Sequence, residues 1–148
     1  MRDAGMRFLL IHAKSMKYRV TKEVKISFKD PIEEGKEWHE FENVLVAFTA
    51  IEKGDEGSVD EIAEKGANEL IEINSRVRAE KILIYPYAHL FSEQLASPKS
   101  AIKILDLLEE KLRRMGAETY RAPFGWYKEF NIHCLGHPLS ESSRKLTL

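Results

Sequence analysis

Cysteine occurs once in the 148 residues, at Cys134, so no intramolecular disulfide can form and a reducing, intracellular setting is expected. No apolar run approaches the roughly 18 residues that a membrane span requires. The opening Met1-Arg2-Asp3-Ala4-Gly5 lacks the apolar stretch and cleavage pattern of a signal peptide, so the expected location is the cytoplasm. There is no glycine-rich phosphate loop, and Ser92, Ser97 and Ser140 all lack the context of a nucleophile elbow, which argues against nucleotide hydrolysis. Charge of one sign is also scarce: 23 Lys and Arg against 24 Asp and Glu leave a net charge of −1. Neutralising the phosphates of a long nucleic acid needs clustered cations, so that class of partner is disfavoured, whereas a short nucleic-acid end held in a pocket is not. Internal repeats and low-complexity segments are absent.

What is present is an ordinary globular balance, 43% hydrophobic and 32% charged. A chain of this length buries about two-thirds of its unfolded surface, so the expectation is one α/β domain over residues 1–148, with 1–5 as a disordered extension. Met6 to His12 reads as a buried first strand with His12 at its exit, residues 17–28 as a peripheral hairpin and Lys29 to Glu40 as a loop. Val44 to Ile51 is apolar on both faces, as a central strand is. Ser58-Val59-Asp60-Glu61 matches a capping box, and Val59, Ile62, Ala63, Gly66, Leu70 and Val77 continue as a helical stripe. Lys81 to Tyr87 is the next strand, which makes residues 44–87 a β-α-β unit with parallel strands. Ser97-Pro98 opens a second helix, with Ala101, Ile102, Leu105, Leu108, Leu112 and Met115 as its buried stripe and Gly116 as its stop. Strands follow near Glu118 to Arg121 and Tyr127 to Cys134, and Pro138 to Lys145 reads as a short closing helix.

The side chains capable of chemistry gather in three segments: Tyr85 to Glu93, Phe124 to Lys128, and Gly136 to Glu141. Strand alternation puts Lys128 on one face with Phe130, Ile132 and Cys134, an unusual setting for a lysine. Either its stem packs while the ammonium reaches solvent, or the charge is aimed into a pocket where it stabilises a developing oxyanion. His89 follows a strand end, where sheet ligand sites open; it caps a backbone group or orients a substrate or water. His133, Cys134 and His137 raise a metal site, but alternation turns His133 and Cys134 to opposite faces, so no metal is expected. His137 and Glu141, four apart at a helix start, form a structural pair or orient His89 or Lys128. Trp126 reads as a core residue or a pocket lip, and Tyr127 as a pocket residue because it neighbours Lys128.

Five segments in order resemble the N-terminal editing domain of archaeal threonyl-tRNA synthetase: Met6 to Ala13, Val44 to Phe48, Tyr85 to Glu93, Ala122 to Lys128, and Gly136 to Leu139 with Glu141. The resemblance covers nearly the whole chain from Met6. It implies a mixed β-sheet with helices packed on it, as in D-aminoacyl-tRNA deacylases, a homodimer, no cofactor, and hydrolysis of L-serine from the 3′ end of mischarged threonine tRNA. It implies that Lys128 and His89 are catalytic and that Tyr127, His137 and Glu141 line the pocket. It also implies that Pro86, Tyr87 and Ala88, with Ile51 and Glu52 at a strand end, hold the terminal adenosine and the aminoacyl group. Much of the chemistry would fall to the adenosine 2′-hydroxyl and bound water. Lys14, the divergent stretch from Val20 to Glu40 and one extra residue between His89 and Lys128 depart from the family pattern. No synthetic portion follows Glu141, so the expected partner is the synthetase's catalytic part, in cis or in trans.

The task fits the chemistry. One methyl discriminates by only about 1–3 kcal/mol, so a synthetase cannot exclude serine by binding alone and needs a second site. Two other functions stay open: a D-aminoacyl-tRNA deacylase, and a noncatalytic module that binds the tRNA end.

Overall fold

A computed structural model of the chain describes residues 5–32, 37–89 and 94–148. Its elements are β1 (Arg7–Glu23), β2 (His39–Ala50), a 3₁₀ turn (Lys53–Gly57), α1 (Val59–Val77), β3 (Lys81–Pro86), α2 (Pro98–Arg114), β4 (Thr119–Arg121), β5 (Trp126–Cys134) and β6 (Glu141–Lys145). They build a six-stranded mixed sheet in the order β4-β3-β2-β1-β5, with β6 also on β1. The pairs β2–β3 and β3–β4 are parallel, joined through α1 and α2, and every pair made by β1 is antiparallel.

The expected β-α-β unit and second helix form as read. Ser97 adopts an extended backbone (φ −60°, ψ 151°), and its Oγ accepts from the Ser100 N–H at 3.2 Å. Ser58 does not form the expected capping box: at ψ 50° it leaves the extended geometry that an N-cap side chain needs, because α1 follows directly from the 3₁₀ turn. On α2 the buried stripe is Ala101, Ile104, Leu105, Leu108 and Leu112, and Met115, past the last turn, is 42% exposed.

Two further expectations are corrected. Residues 17–28 are no separate hairpin: β1 runs unbroken through Glu23 and pairs with a β2 that begins at His39, so the first two strands form one long hairpin. Of the expected 29–40 loop, residues 33–36 lie outside the described residues. Finally, Pro138–Lys145 is not a helix. The first half of β1 presents unpaired backbone groups along one edge, and β6 satisfies them from Arg7↔Lys145 to Ile11↔Glu141, while β5 takes the second half. β5 and β6 thus form one edge line interrupted at residues 135–140. Gly5 is buried and donates its N–H to Glu52 Oε1.

One sheet face carries both helices. Phe8, Leu10, Leu45, Ala47, Ile82 and Ile84 meet Ile62, Leu70, Leu105 and Leu108 there in an aliphatic core. A side chain at Gly66 would meet Met6 Cε and press on the Leu108 side chain, so α1 lies close to the sheet at this position. The other face carries Ala13, Met16, Tyr18, Val44, Val46, Phe48, Leu83 and Tyr85, and among the described residues no helix packs on it. A bulge at Lys14 reverses the alternation of β1, which lets Ala13 and Met16 share this face. Tyr18 pairs with His39 and Tyr85 with Phe48, nine positions apart along β2 (48 − 39), or about 30 Å in a straight strand. Their rings nevertheless meet at 5.8 Å, so the sheet curls and buries this face against itself.

Candidate functional site

The curl produces an aromatic nest at the exits of β2 and β3. Phe48, Tyr85 and Phe130 lie 5.1–5.5 Å from one another by ring centroid, and Tyr87 sits 5.9 Å from Phe48. Into it reaches Lys128. Its pairing with Val20 and its position two residues before Phe130 put it on this face, as strand alternation predicts. The ammonium lies 5.1 Å from the Tyr85 ring centroid and donates to Pro123 O at 2.8 Å and Trp126 O at 2.9 Å. It does not reach bulk solvent by a free stem: two of its three N–H groups are fixed, and a π-face attracts it. Burial pulls its pKa from 10.5 down to about 8, with Asp30 opposing that shift. At pH 7 the amine therefore remains charged while largely withdrawn from water. Burial pushes the Tyr18 phenol up to about 12, and burial, followed by Tyr87 and Tyr18, raises that of Tyr85 further, so both stay neutral.

The turn that grips the lysine is built from a distance. Asp30 N donates to Phe124 O at 2.9 Å, Asp30 Oδ2 accepts from Phe124 N at 2.9 Å, and Asp30 O accepts from Trp126 Nε1 at 2.8 Å. Its Oδ1 accepts from Arg121 at 2.7 Å, and Arg121 also reaches Asp106. Gly125, at φ +91°, lets the 24–30 segment pass, since a side chain there would overlap Lys29. Spacing offered no sign of Asp30 or Arg121 as site residues; Asp30-Pro31 read only as part of a loop.

The other expected site residues divide. Pro86, Tyr87, Ala88 and His89 follow one another at the exit of β3, with Pro86 buried, Ala88 half-buried and His89 exposed in the turn. The rest of that run, residues 90–93, lies outside the described residues. Ile51 and Glu52 end β2 at the same end of the sheet, but the Ile51 side chain joins the helix-face core. Their main chain is bonded internally: Ile51 O accepts from Ala96 N, Glu52 N donates to Asp55 Oδ2, and Glu52 O accepts from Asp55 N. Glu52 is buried, and its carboxylate also lies 3.6 Å from Arg7. Tyr127 alternates away from Lys128 and is 58% exposed.

His137 and Glu141 do not share a helix start. Glu141 is exposed opposite Ile11 on β6, and His137 lies in the 135–140 interruption, on the helix side of the sheet. There His137 Nε2 is 2.8 Å from Nδ1 of buried His12, whose Nε2 is 2.8 Å from Asn43 Oδ1. One proton arrangement satisfies every contact. Leu139 N–H donates to His137 Nδ1, His137 Nε2–H to His12 Nδ1, and His12 Nε2–H to Asn43 Oδ1, with both rings neutral. His12 was legible only as a strand-exit residue; nothing in the spacing tied it to His137. Among the described residues, no group of three His, Cys, Asp or Glu side chains could hold a metal ion. Nor is any helix among them long and apolar enough to cross a membrane.

Comparison with known proteins agrees with this architecture. In the solved c-Myc DNA Unwinding Element Binding Protein, 96% of this chain superposes on 99% of that one with a TM-score of 0.64 at 10% identity, a likeness of fold alone. The fold is the D-aminoacyl-tRNA deacylase-like mixed sheet with helices on one face. Over 97% of its length the chain is 47% identical to a threonine–tRNA ligase of Staphylothermus marinus, of which it spans 23%. Over 95% it is 45% identical to a threonine–tRNA ligase editing subunit of Saccharolobus solfataricus, of which it spans 34%. The profile of the archaea-specific editing domain of threonyl-tRNA synthetase matches residues 6–146, and the chain belongs to that family.

Proposed function

We propose that this domain hydrolyses the ester joining L-serine to threonine tRNA, acting as part of a threonyl-tRNA synthetase or in trans to its catalytic portion. The observation that carries the reading is the Lys128 ammonium, buried against Tyr85 and held by two carbonyls at the strand exits where open-sheet ligand sites lie. Attack of water on the ester carbonyl places negative charge on its oxygen. A fixed cation withdrawn from water stabilises that charge far more than a solvated one. With its pKa held near 8, Lys128 supplies the charge at neutral pH.

In this reading the adenosine 2′-hydroxyl and a bound water deliver the attack, and exposed His89 orients them. Pro86, Tyr87 and Ala88 wall the site, while Ile51 and Glu52 border it from the end of β2. Tyr127 and Glu141, both exposed, meet the incoming RNA end. His137, tied to His12, keeps in place the connector that leads to Glu141. Net charge near zero is compatible with recognition of one terminal nucleotide rather than of the tRNA body. Half-buried Leu9 and Ile11 on the helix-free face, with exposed Leu135 and Leu139 nearby, support a homodimer.

The test is incubation with L-seryl-, L-threonyl- and D-aminoacyl-tRNA. Selective release of L-serine is the expected result. Release of D-residues alone would make the protein a D-aminoacyl-tRNA deacylase, and binding without release a noncatalytic module.

A further inference from the structure

Beyond that reading, and resting on it, we infer that Asp30 is a positioning residue for Lys128: it holds the 123–126 turn whose carbonyls bind the amine and turns a carboxylate toward the same charge. The geometry makes this specific. Lys128 owes its place to Pro123 O, in the turn before β5, and to Trp126 O, at the first residue of β5. Four hydrogen bonds at Asp30 brace that turn: Asp30 donates one to Phe124 O and accepts one each from Phe124 N, the Trp126 ring N–H and Arg121. Val24 N donates to Gly125 O at 3.0 Å, so the 24–30 segment is sewn to the turn at both ends.

Asp30 is also buried with its counter-ion: the side chains of Asp30 and Arg121 are 12% and 11% exposed. Among the described residues, the charged and titratable groups around the amine and its turn are Asp30 and Lys29 from the loop, Glu23 of β1 paired with Lys29, Tyr85 of β3 with Tyr18 and Tyr87 against it, and, behind Asp30, Arg121 of β4 with Asp106 and Glu109 of α2. Burial keeps Tyr85 and Tyr18 neutral at the working pH, and Asp30 carries the negative charge that counters desolvation of the ammonium, with Arg121 tempering it.

The test follows the Lys128 side-chain ¹³Cε signal by NMR across pH in the whole chain, assigned by its loss in Lys128→Met, together with serine release. Asp30→Asn keeps one oxygen for the turn and removes the charge. It should lower the titration midpoint by about one pH unit. Near pH 8 that cuts the protonated fraction, and with it kcat, about fivefold, with KM unchanged. Arg121→Gln should move the midpoint the opposite way. Midpoints unmoved in both variants, or moved in the same direction, would overturn the inference; if Asp30→Asn fails to fold, the sign of the Arg121→Gln shift decides alone. The midpoint is read without substrate. Absence of serine release from the parental chain would sink the proposed function, and parental release by Lys128→Met would sink the role of the amine, while the coupling of Asp30 to Lys128 is judged separately in both cases.

Discussion

Among the described residues, the helix face of the sheet buries more than twice as many residues as the other face, and the two do so by different means. The helix face is filled with aliphatic residues from β1, β2 and β3 against α1 and α2, and its buried histidine has every ring nitrogen bonded. The curled face has no helix layer; it is closed by rings and contains a cation. Aliphatic burial stabilises without polar cost, about 25 cal/mol per Å². Burying an ammonium costs stability that two carbonyls and an aromatic face only partly offset. With the proposed site on the curled face, stability and chemistry are separable in this fold, one face for each.

The sharpest way to break that separation is to damage the helix face and watch the other. Phe8, fully buried there, should cost about 3–5 kcal/mol as Phe8→Ala and lower the melting temperature by roughly 10 °C or more. Below the transition, serine release per folded molecule should hold at the parental rate. A parallel loss of activity in the cold would mean that the faces are coupled. The reciprocal experiment is Lys128→Met, which should reduce serine release about 10²–10³-fold while leaving tRNA binding and the folded state intact. Equal loss of binding and hydrolysis would place the lysine in recognition rather than in catalysis.

What sequence reveals follows the same division. The helix face was legible because its signals are local: Ser97-Pro98 at a helix start, Gly116 at its end, and apolar stripes at three- and four-residue spacing. The full length of β1 was not. The bulge at Lys14 reverses which side chains face inward, so a period-two pattern changes phase in mid-strand and reads as two strands. β6 was mistaken for a helix because nothing in Glu141 to Lys145 shows that a free edge of β1 waits beside it. On the curled face, the orientation of Lys128 followed from alternation, but its environment did not. The groups that fix it depend on Asp30, 94 and 96 positions from Phe124 and Trp126, and only the folded chain brings them together.

A smaller effect is expected from the histidine pair on the helix side. His137→Ala removes the donor to Nδ1 of buried His12 and with it the side-chain tie between the 135–140 connector and β1, leaving the backbone bonds from His12 N to Ser140 O and from Leu135 N to His12 O. Leaving such a group unsatisfied costs about 1–3 kcal/mol. Denaturant unfolding should show that loss, and serine release should fall less than in Lys128→Met, because the pair lies across the sheet from the amine. A loss of activity as deep as that of Lys128→Met would show that the connector, and Glu141 beyond it, belongs to the site itself.

The smallest effect separates the faces by pH. The folded-state pKa of Lys128 is depressed, from 10.5 to about 8, so between those values the unfolded chain holds a proton that the folded chain has released. Stability rises with pH wherever the unfolded state binds more protons. This group should therefore destabilise the fold fully below pH 8 and progressively less up to pH 10.5, a gain of about 1 kcal/mol between pH 7 and 9. If the proposed role of the charged amine is right, hydrolysis should fall over the same interval. In Lys128→Met the rise in stability should vanish, as chemical denaturation at the two pH values would show. If the rise persists, another group causes it and the cost of burying this ammonium has been misplaced. If stability and hydrolysis instead fall together, the charged amine holds the curled face closed, and chemistry and stability share that face after all.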